Sequence, residues 1–415
     1  MNRRIAIAFL LSAQAFALCQ CSAPEVVAPL TPMAHAQHLR DDGRLADAEL
    51  EFKRLADQGE PRAILELAET QILRGHHADA LALLKPRLAA DVNDAEAAGL
   101  LARAYDGLGR IDEAVTTYAR RLTLKPDDVT AAVRMSDLLL ARGDPDHASR
   151  VAYAGLKLHP GEPRLLVLAA RSMLARGRVP TALDLAKQAT EAAPRNADAW
   201  LVLGQVQAMA GDLAEAEASL RVALEIVPDG RDAQSELASV WLEQGATDKA
   251  VTLLQKLVKT LPGDASLWNQ LAVAKHKAGN SDGAIAALDM AISLQPRRPV
   301  LFRNLAEVAL DAGWPDRAVQ AAAQARVLVQ ARVQDGVTTP ELDQLQLRAI
   351  IAAVMTQRVC RHDHNSAGLE QELLTAAQKS AIKTTPAELT AAANTVEDAV
   401  RAAVARCRAA PAQGK

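Results

Sequence analysis

The chain has 415 residues, is half hydrophobic yet only 3% aromatic, and carries a formal net charge of −3 at pH 7. That balance supplies no basic footprint for nucleic acid, and the scarcity of aromatic side chains points to alanine-rich helix packing. A length rule alone divides such a chain into two or three domains.

At the amino terminus, Arg3-Arg4, the apolar run Ile5 to Leu11 and the small-residue site Ala15-Phe16-Ala17 read as a secretory signal peptide over residues 1–20. The apolar run is too short to anchor the chain across a bilayer. Losing Arg3 and Arg4 with the leader moves the net charge from −3 to −5 (−3 − 2). Leu18-Cys19-Gln20-Cys21 resembles a lipobox, the leucine-led tetrad before a lipidated cysteine, although Gln20 departs from the small residue that pattern asks for. Two outcomes stay open: acylation of Cys21 or Cys19, or cleavage after Ala17 without a lipid. The twin arginine raises Tat export, but the residues after it do not match that signal. Residues 21–33, rich in Ala, Pro and Val without helical period, are expected to form a tether. The expected location is the periplasm or the periplasmic face of the outer membrane.

Beyond the tether, glycines recur at Gly43, Gly75, Gly109, Gly143, Gly177, Gly211, Gly245, Gly279 and Gly313, every 34 residues after a first step of 32. A fixed period of this length marks stacked repeats, which are expected to run as one body. Pro126, Pro160, Pro194, Pro228, Pro262 and Pro296 each follow a glycine by 17 residues. The two columns predict helix, turn, helix, stop. In 197–230, Trp200, Leu203 and Gly204 share one face of a first helix, and Ala216, Leu220 and Ala223 form the apolar stripe of a second. Five residues past each glycine stands an alanine, at Ala80, Ala114, Ala148, Ala182, Ala216, Ala250, Ala284 and Ala318. A larger side chain there would push the paired helices apart.

These columns resemble the tetratricopeptide repeat (TPR) family. Residues 95–128 supply Leu101-Ala102, Tyr105, Gly109, Ala114, Tyr118 and Pro126, and 265–298 supply Trp268, Leu271-Ala272, Gly279, Ala284, Leu288, Ala291 and Pro296. The resemblance implies an all-α, right-handed superhelical solenoid of about nine helix-turn-helix repeats over 29–332, with a helical C-terminal cap over 333–415. The departures lie at the ends: a first unit two residues short, Val92 in place of proline in the second and Gln330 in the ninth. Terminal repeats, with one neighbour instead of two, are expected to deviate.

After residue 332 the period is lost. Thr339-Pro340 opens one expected helix, with Leu345, Leu347, Ile350, Ile351 and Val354 on its apolar face; further helices are expected at about 366–383 and 385–408. Cys360 and Cys407 are the two cysteines of the folded body. In an oxidising compartment they either bridge or stay as free thiols, since spacing does not show whether their Cα atoms approach.

Catalytic motifs are few. Gly279-Asn280-Ser281-Asp282-Gly283 matches the G-x-S-x-G elbow letter for letter, but it falls on a helix-to-helix turn and Gly279 belongs to the periodic column. Cys360, His362, Asp363 and His364 crowd into one loop as candidate ligands, yet a disulfide would consume the sulfur and a fourth ligand is missing. His35, His38, His76 and His77 read as polar surface. There is no HExxH, P-loop or dinucleotide fingerprint. The chain is therefore expected to be no enzyme, with no cofactor, no metal, no nucleic acid and no small-molecule substrate. An enzyme with a site in the tail near Cys360, His362 and His364 stays as another reading.

In the TPR family the groove is lined by positions two, five, nine and twelve or thirteen of each first helix. Carried onto this chain, the resemblance puts Arg103, Asp137, Arg171 and Gln205 in one row, with Arg164, Asn269 and Arg303 nearby. The arginines either receive an acidic partner or form an internal ladder, Arg103 to Asp137 to Arg171. A second row, Ile72, Leu140, Leu174, Leu242 and Leu310, is either an exposed apolar binding stripe or packed between helices. Clamp-type recognition of a terminal carboxylate lacks its full residue set. The expected function is a protein-binding scaffold of the bacterial envelope that assists assembly of a pilus, secretion, exopolysaccharide-export or outer-membrane protein machine. The alternative is a soluble periplasmic chaperone or adaptor.

Overall fold

The computed structural model describes residues 31–330, 340–360 and 375–377 and the single positions 388, 392, 395, 396, 399 and 400. The signal peptide, Cys19 and Cys21, the histidines of the tail and Cys407 lie outside the described residues, as does the side chain of Cys360. Among the described residues there is no strand, and no helix is long and apolar enough to cross a membrane.

In the first compact unit, Met1–His159, helices pair as α1 (Pro32–Asp41) with α2 (Leu45–Asp57), α3 (Ala63–Leu73) with α4 (His77–Ala90), α5 (Ala95–Gly107) with α6 (Ile111–Leu124) and α7 (Val129–Ala141) with α8 (Pro145–Leu158). In the second, Pro160–Lys415, the pairs are α9 (Pro163–Ala175) with α10 (Val179–Ala192), α11 (Ala197–Ala210) with α12 (Leu213–Ile226), α13 (Arg231–Glu243) with α14 (Thr247–Thr260), α15 (Ala265–Lys277) with α16 (Ser281–Leu294) and α17 (Pro299–Asp311) with α18 (Pro315–Gln330). One helix follows, α19 (Pro340–Cys360). Residues 31–159 thus hold four helix pairs and residues 160–330 five.

The punctuation behaves as physics demands. All nine column glycines have positive φ, Gly211 at 88° and Gly109 at 68° for example, the left-handed turn that lets the second helix reverse onto the first. The second helices α6, α8, α10, α12, α14 and α16 each end two residues before a column proline, whose ring disfavours helix in the residue ahead of it. The proline is not required for the stop: with Val92 in its place, α4 still runs 14 residues and ends at Ala90. First helices start on capping side chains: Asp94 accepts from the Ala97 amide at 2.8 Å and Asp128 from the Ala131 amide at 3.0 Å. Pro32 and Met33, assigned to the tether from sequence, instead open α1 behind the Thr31 cap.

The alanine column is the crossing point of each helix pair, and Ala80, Ala114, Ala148, Ala182, Ala216, Ala250, Ala284 and Ala318 are all fully buried. Between α11 and α12 the approach is closest at Gly204, where an added methyl would sit 2.7 Å from Leu220 Cγ and 3.2 Å from the Ala216 carbonyl oxygen. A second recurrent device ties repeat to repeat. The indole N–H groups of Trp200 and Trp268 donate to the carbonyls of Pro194 and Pro262 at 2.9 Å, and the Gln234 amide donates to that of Pro228 at 2.7 Å.

In the second unit successive first helices pack on one another, α9 on α11, α11 on α13, α13 on α15 and α15 on α17, and in the first α3 packs on α5. Helix α19 packs on both α17 and α18, the two surfaces a tenth first helix would cover, and buries Leu345, Leu347, Ile350 and Ile351. Ala377, Val396, Ala399 and Val400, from the segments expected at 366–383 and 385–408, join the same core.

Candidate protein-binding groove

The first-helix layer presents the side chains that the repeat register selected. In the first unit they are already engaged with one another. Arg103 on α5 donates to Glu69 on α3, one repeat earlier, at 2.9 Å. Arg40 on α1 continues the network by donating to Glu66 and approaching Glu69 at 3.4 Å. Asp137, half-buried on α7, helps hold Arg134 further above its ordinary pKa, behind the larger effect of the Asp106 hydrogen bonds. Glu66 and Glu69 were missed by sequence reasoning, although Glu69 stands one period before Arg103 and the same mapping would have found it.

The second unit uses amides, a hydroxyl and one carboxyl for the same task. Gln205 on α11 donates to Glu236 on α13 at 3.0 Å, Ser235 on α13 donates to Gln270 on α15 at 2.8 Å, and Asn304 on α17 donates to Asn269 on α15 at 2.8 Å. Burial pushes the Glu236 carboxyl above the usual range, and the nearby Asp232 and Glu243 add to the shift against the Gln205 hydrogen bond. Arg164 and Arg303 are exposed and Arg171 is half-buried. Within each unit the candidates are spread along several first helices rather than gathered at a point.

Of the two readings of the apolar row, packing between helices is the one that burial agrees with: Ile72, Leu242 and Leu310 are buried and Leu140 and Leu174 half-buried, three residues before the turn glycine. His77 is also not simple surface: its ring lies where a side chain on Gly107 would be, and its Nδ1 is buried. The G-x-S-x-G match resolves into a helix start, with Asn280 capping the Gly283 amide at 2.9 Å and Ser281 at the first position of α16. At the far end of the layer, α15, α17 and α19 enclose a pocket of about 400 Å³.

A stack of paired helices closed by cap-like α19 and carrying a polar first-helix face defines a repeat scaffold. The TPR family model matches residues 54–331, more than half of the chain, and the chain belongs to the tetratricopeptide repeat family. Among solved structures it is similar to a tetratricopeptide repeat protein from Parabacteroides merdae at 15% identity, with a TM-score of 0.49 over 61% of this chain and 97% of that one. It is also similar to YrrB, described as a TPR protein with an unusual peptide-binding site, at 19% identity and a TM-score of 0.34 over 45% of this chain and 96% of that one. A third similar structure, from the Cut9-Hcn1 hetero-tetramer, has 14% identity and a TM-score of 0.43 over 90% of this chain and 96% of that one. Among curated proteins none matches the chain. The family is typically a non-enzymatic interaction module, and the fold is that of a protein–protein interaction scaffold.

Proposed function

We propose that the chain is an exported scaffold of the bacterial envelope that holds a protein segment along its first-helix face and assists assembly of an envelope machine. The observation that carries the binding reading is the row of half-exposed polar side chains on first helices of the second unit, Gln205, Asn269 and Asn304, each hydrogen-bonded to a neighbouring repeat. Their hydrogen bonds to neighbouring repeats fix their rotamers before a partner arrives, which lowers the entropy lost on binding. The leader Arg3 to Ala17 and the cysteines Cys19 and Cys21 support the envelope location, with a lipid holding the solenoid at the periplasmic face of the outer membrane.

Two measurements test this. A photo-crosslinking residue at Asn269 should capture protein partners in the native cell, whereas the same residue at the exposed, outward Ala218 should not. Capture from Ala218 alone would move the binding face off the first helices. Intact mass and fractionation test the address: a diacylglyceryl-modified cysteine in the outer-membrane fraction is expected. An unmodified chain starting at Leu18 in the soluble periplasm favours the diffusible adaptor, and a full-length cytoplasmic chain overturns both.

A further inference from the structure

In the first unit the second helices α6 and α8 flank a pocket of about 490 Å³ that is floored by α7. Leu122, Pro126, Ala132, Met135, Val151 and Leu158 give it apolar walls. Two small residues leave it open. One repeat earlier, Arg120 donates across the corresponding gap to the Val92 carbonyl at 3.1 Å, and Arg121 donates to the Ala95 carbonyl and, at 2.7 Å, to Asp128. In the next repeat Ala154 and Gly155 stand in those two places and have no side chain to reach across. Glycine inside a helix and apolar walls left in water both cost stability, and the two arginines next door show that the gap can be closed.

The charges at the rim have one sign. The ionisable residues of the lining are Arg150 and Lys157, both exposed, and among the described residues no acidic side chain lines the pocket. They stand seven residues apart on α8, two turns and about 10 Å, on the face that also carries Ala154 and Leu158. Cations over apolar walls complement an amphiphile, with an aliphatic chain between the helices and an anionic head at the rim. Size favours a single chain. A partner helix of about 10 Å diameter would fill this volume in little more than one turn, whereas small ligands occupy pockets of this order. At one end, His159 Nε2 meets the Asp127 carbonyl oxygen at 3.1 Å and so ties the wall after Leu158 to the wall after Pro126.

We infer that this pocket binds a fatty-acid-like monoacyl anion, with its aliphatic chain between α6 and α8 and its carboxylate on Arg150, whose planar fork suits that group. Lys157 adds positive charge along the same rim. The site is separate from the first-helix face and stands or falls apart from the scaffold reading.

Isothermal titration calorimetry on the full chain tests it with dodecanoate, decanoate and the neutral dodecyl maltoside, each below its micellar concentration. One-to-one binding of dodecanoate is expected, roughly tenfold tighter than decanoate, which buries two fewer CH2 groups, and tighter than the maltoside. Arg150→Gln should bring dodecanoate down towards the maltoside. Ala154→Arg, which copies Arg120, should abolish binding although it adds a positive charge; Ala154→Leu, a plug without charge, should weaken it as well. Ala154 is exposed, and an unchanged melting midpoint of either variant guards against a folding defect. No binding of dodecanoate, equal affinities for the two chain lengths, or binding that survives or strengthens in Ala154→Arg would each overturn the proposal. Binding that emerges only when Cys19→Ser and Cys21→Ser are introduced would also overturn it, since the chain's own acyl group would then be the occupant.

Discussion

Replacing Ala216 by Phe tests the packing logic of every repeat at once. Ala216 is fully buried where α11 and α12 cross, and its own carbonyl oxygen would be only 3.2 Å from a methyl placed on Gly204. There is no room for a phenyl ring, so the helices have to separate or the ring has to take a strained rotamer, costing about 1–3 kcal/mol. For a unit of this size each kcal/mol lowers the melting midpoint by about 2–4 °C, giving an expected drop of about 2–12 °C. The control is Ala218→Phe on the exposed face of the same helix. It carries the same loss of helix propensity, about 0.5 kcal/mol, so the difference between the two variants isolates the crossing. Thermal and urea unfolding followed by far-ultraviolet circular dichroism would measure it. Equal midpoints for the two variants would refute the assignment of the alanine column to the helix crossing.

Other outcomes follow from the same structure. Gly204→Ala gains about 1 kcal/mol of helix propensity but meets Leu220 Cγ at 2.7 Å, so a net loss on the order of 1 kcal/mol is expected and a gain in melting temperature would contradict the close approach. Trp268→Phe removes the donor to the Pro262 carbonyl and should cost about 0.5–1.5 kcal/mol in urea unfolding; no loss would show that water replaces the bond freely. Acid should act unequally on the two units. In the first, burial alone would raise Glu49, Asp94 and Asp128, but hydrogen bonds from Arg74 and Gln71, from the Ala97 amide and Arg87, and from the Ala131 amide and Arg121 outweigh it and lower all three. Depressed carboxylates contribute stability above their unfolded values, 4.5 for Glu and 3.8 for Asp, and lose it as pH falls through the folded ones. In the second unit Glu217, lowered by the Trp241 hydrogen bond, is opposed by Glu236, whose raised pKa makes acidification favourable. Hydrogen exchange at decreasing pH should therefore show 63–141 opening before 197–277, and the reverse order would refute the assignment.

The helices and their turns were legible in the sequence because they depend on local rules repeated nine times. A positive φ calls for glycine, a stop calls for proline, and a close crossing calls for alanine, so one noisy repeat is corrected by its neighbours. The groove was legible only as positions. Register told which residues share a face, but the identity of each partner depends on how far successive helices slide past one another, and that offset is set by side-chain packing rather than by period. Arg103 therefore meets Glu69, a partner that the register alone did not name, and Ile72, Leu242 and Leu310 are buried.

The pocket at α19 is the clearest case of a feature outside the reach of sequence. Lys277, Glu307 and Arg348 lie in three helices, the last beyond the repeats, and only docking of α19 on α17 and α18 brings them to one cavity. Local backbone preference acts over a few residues and writes itself into the chain as a pattern. The burial of Arg348 Nε, in a residue that is half-buried as a whole, is a property of everything packed around it, and the folded arrangement alone decides it.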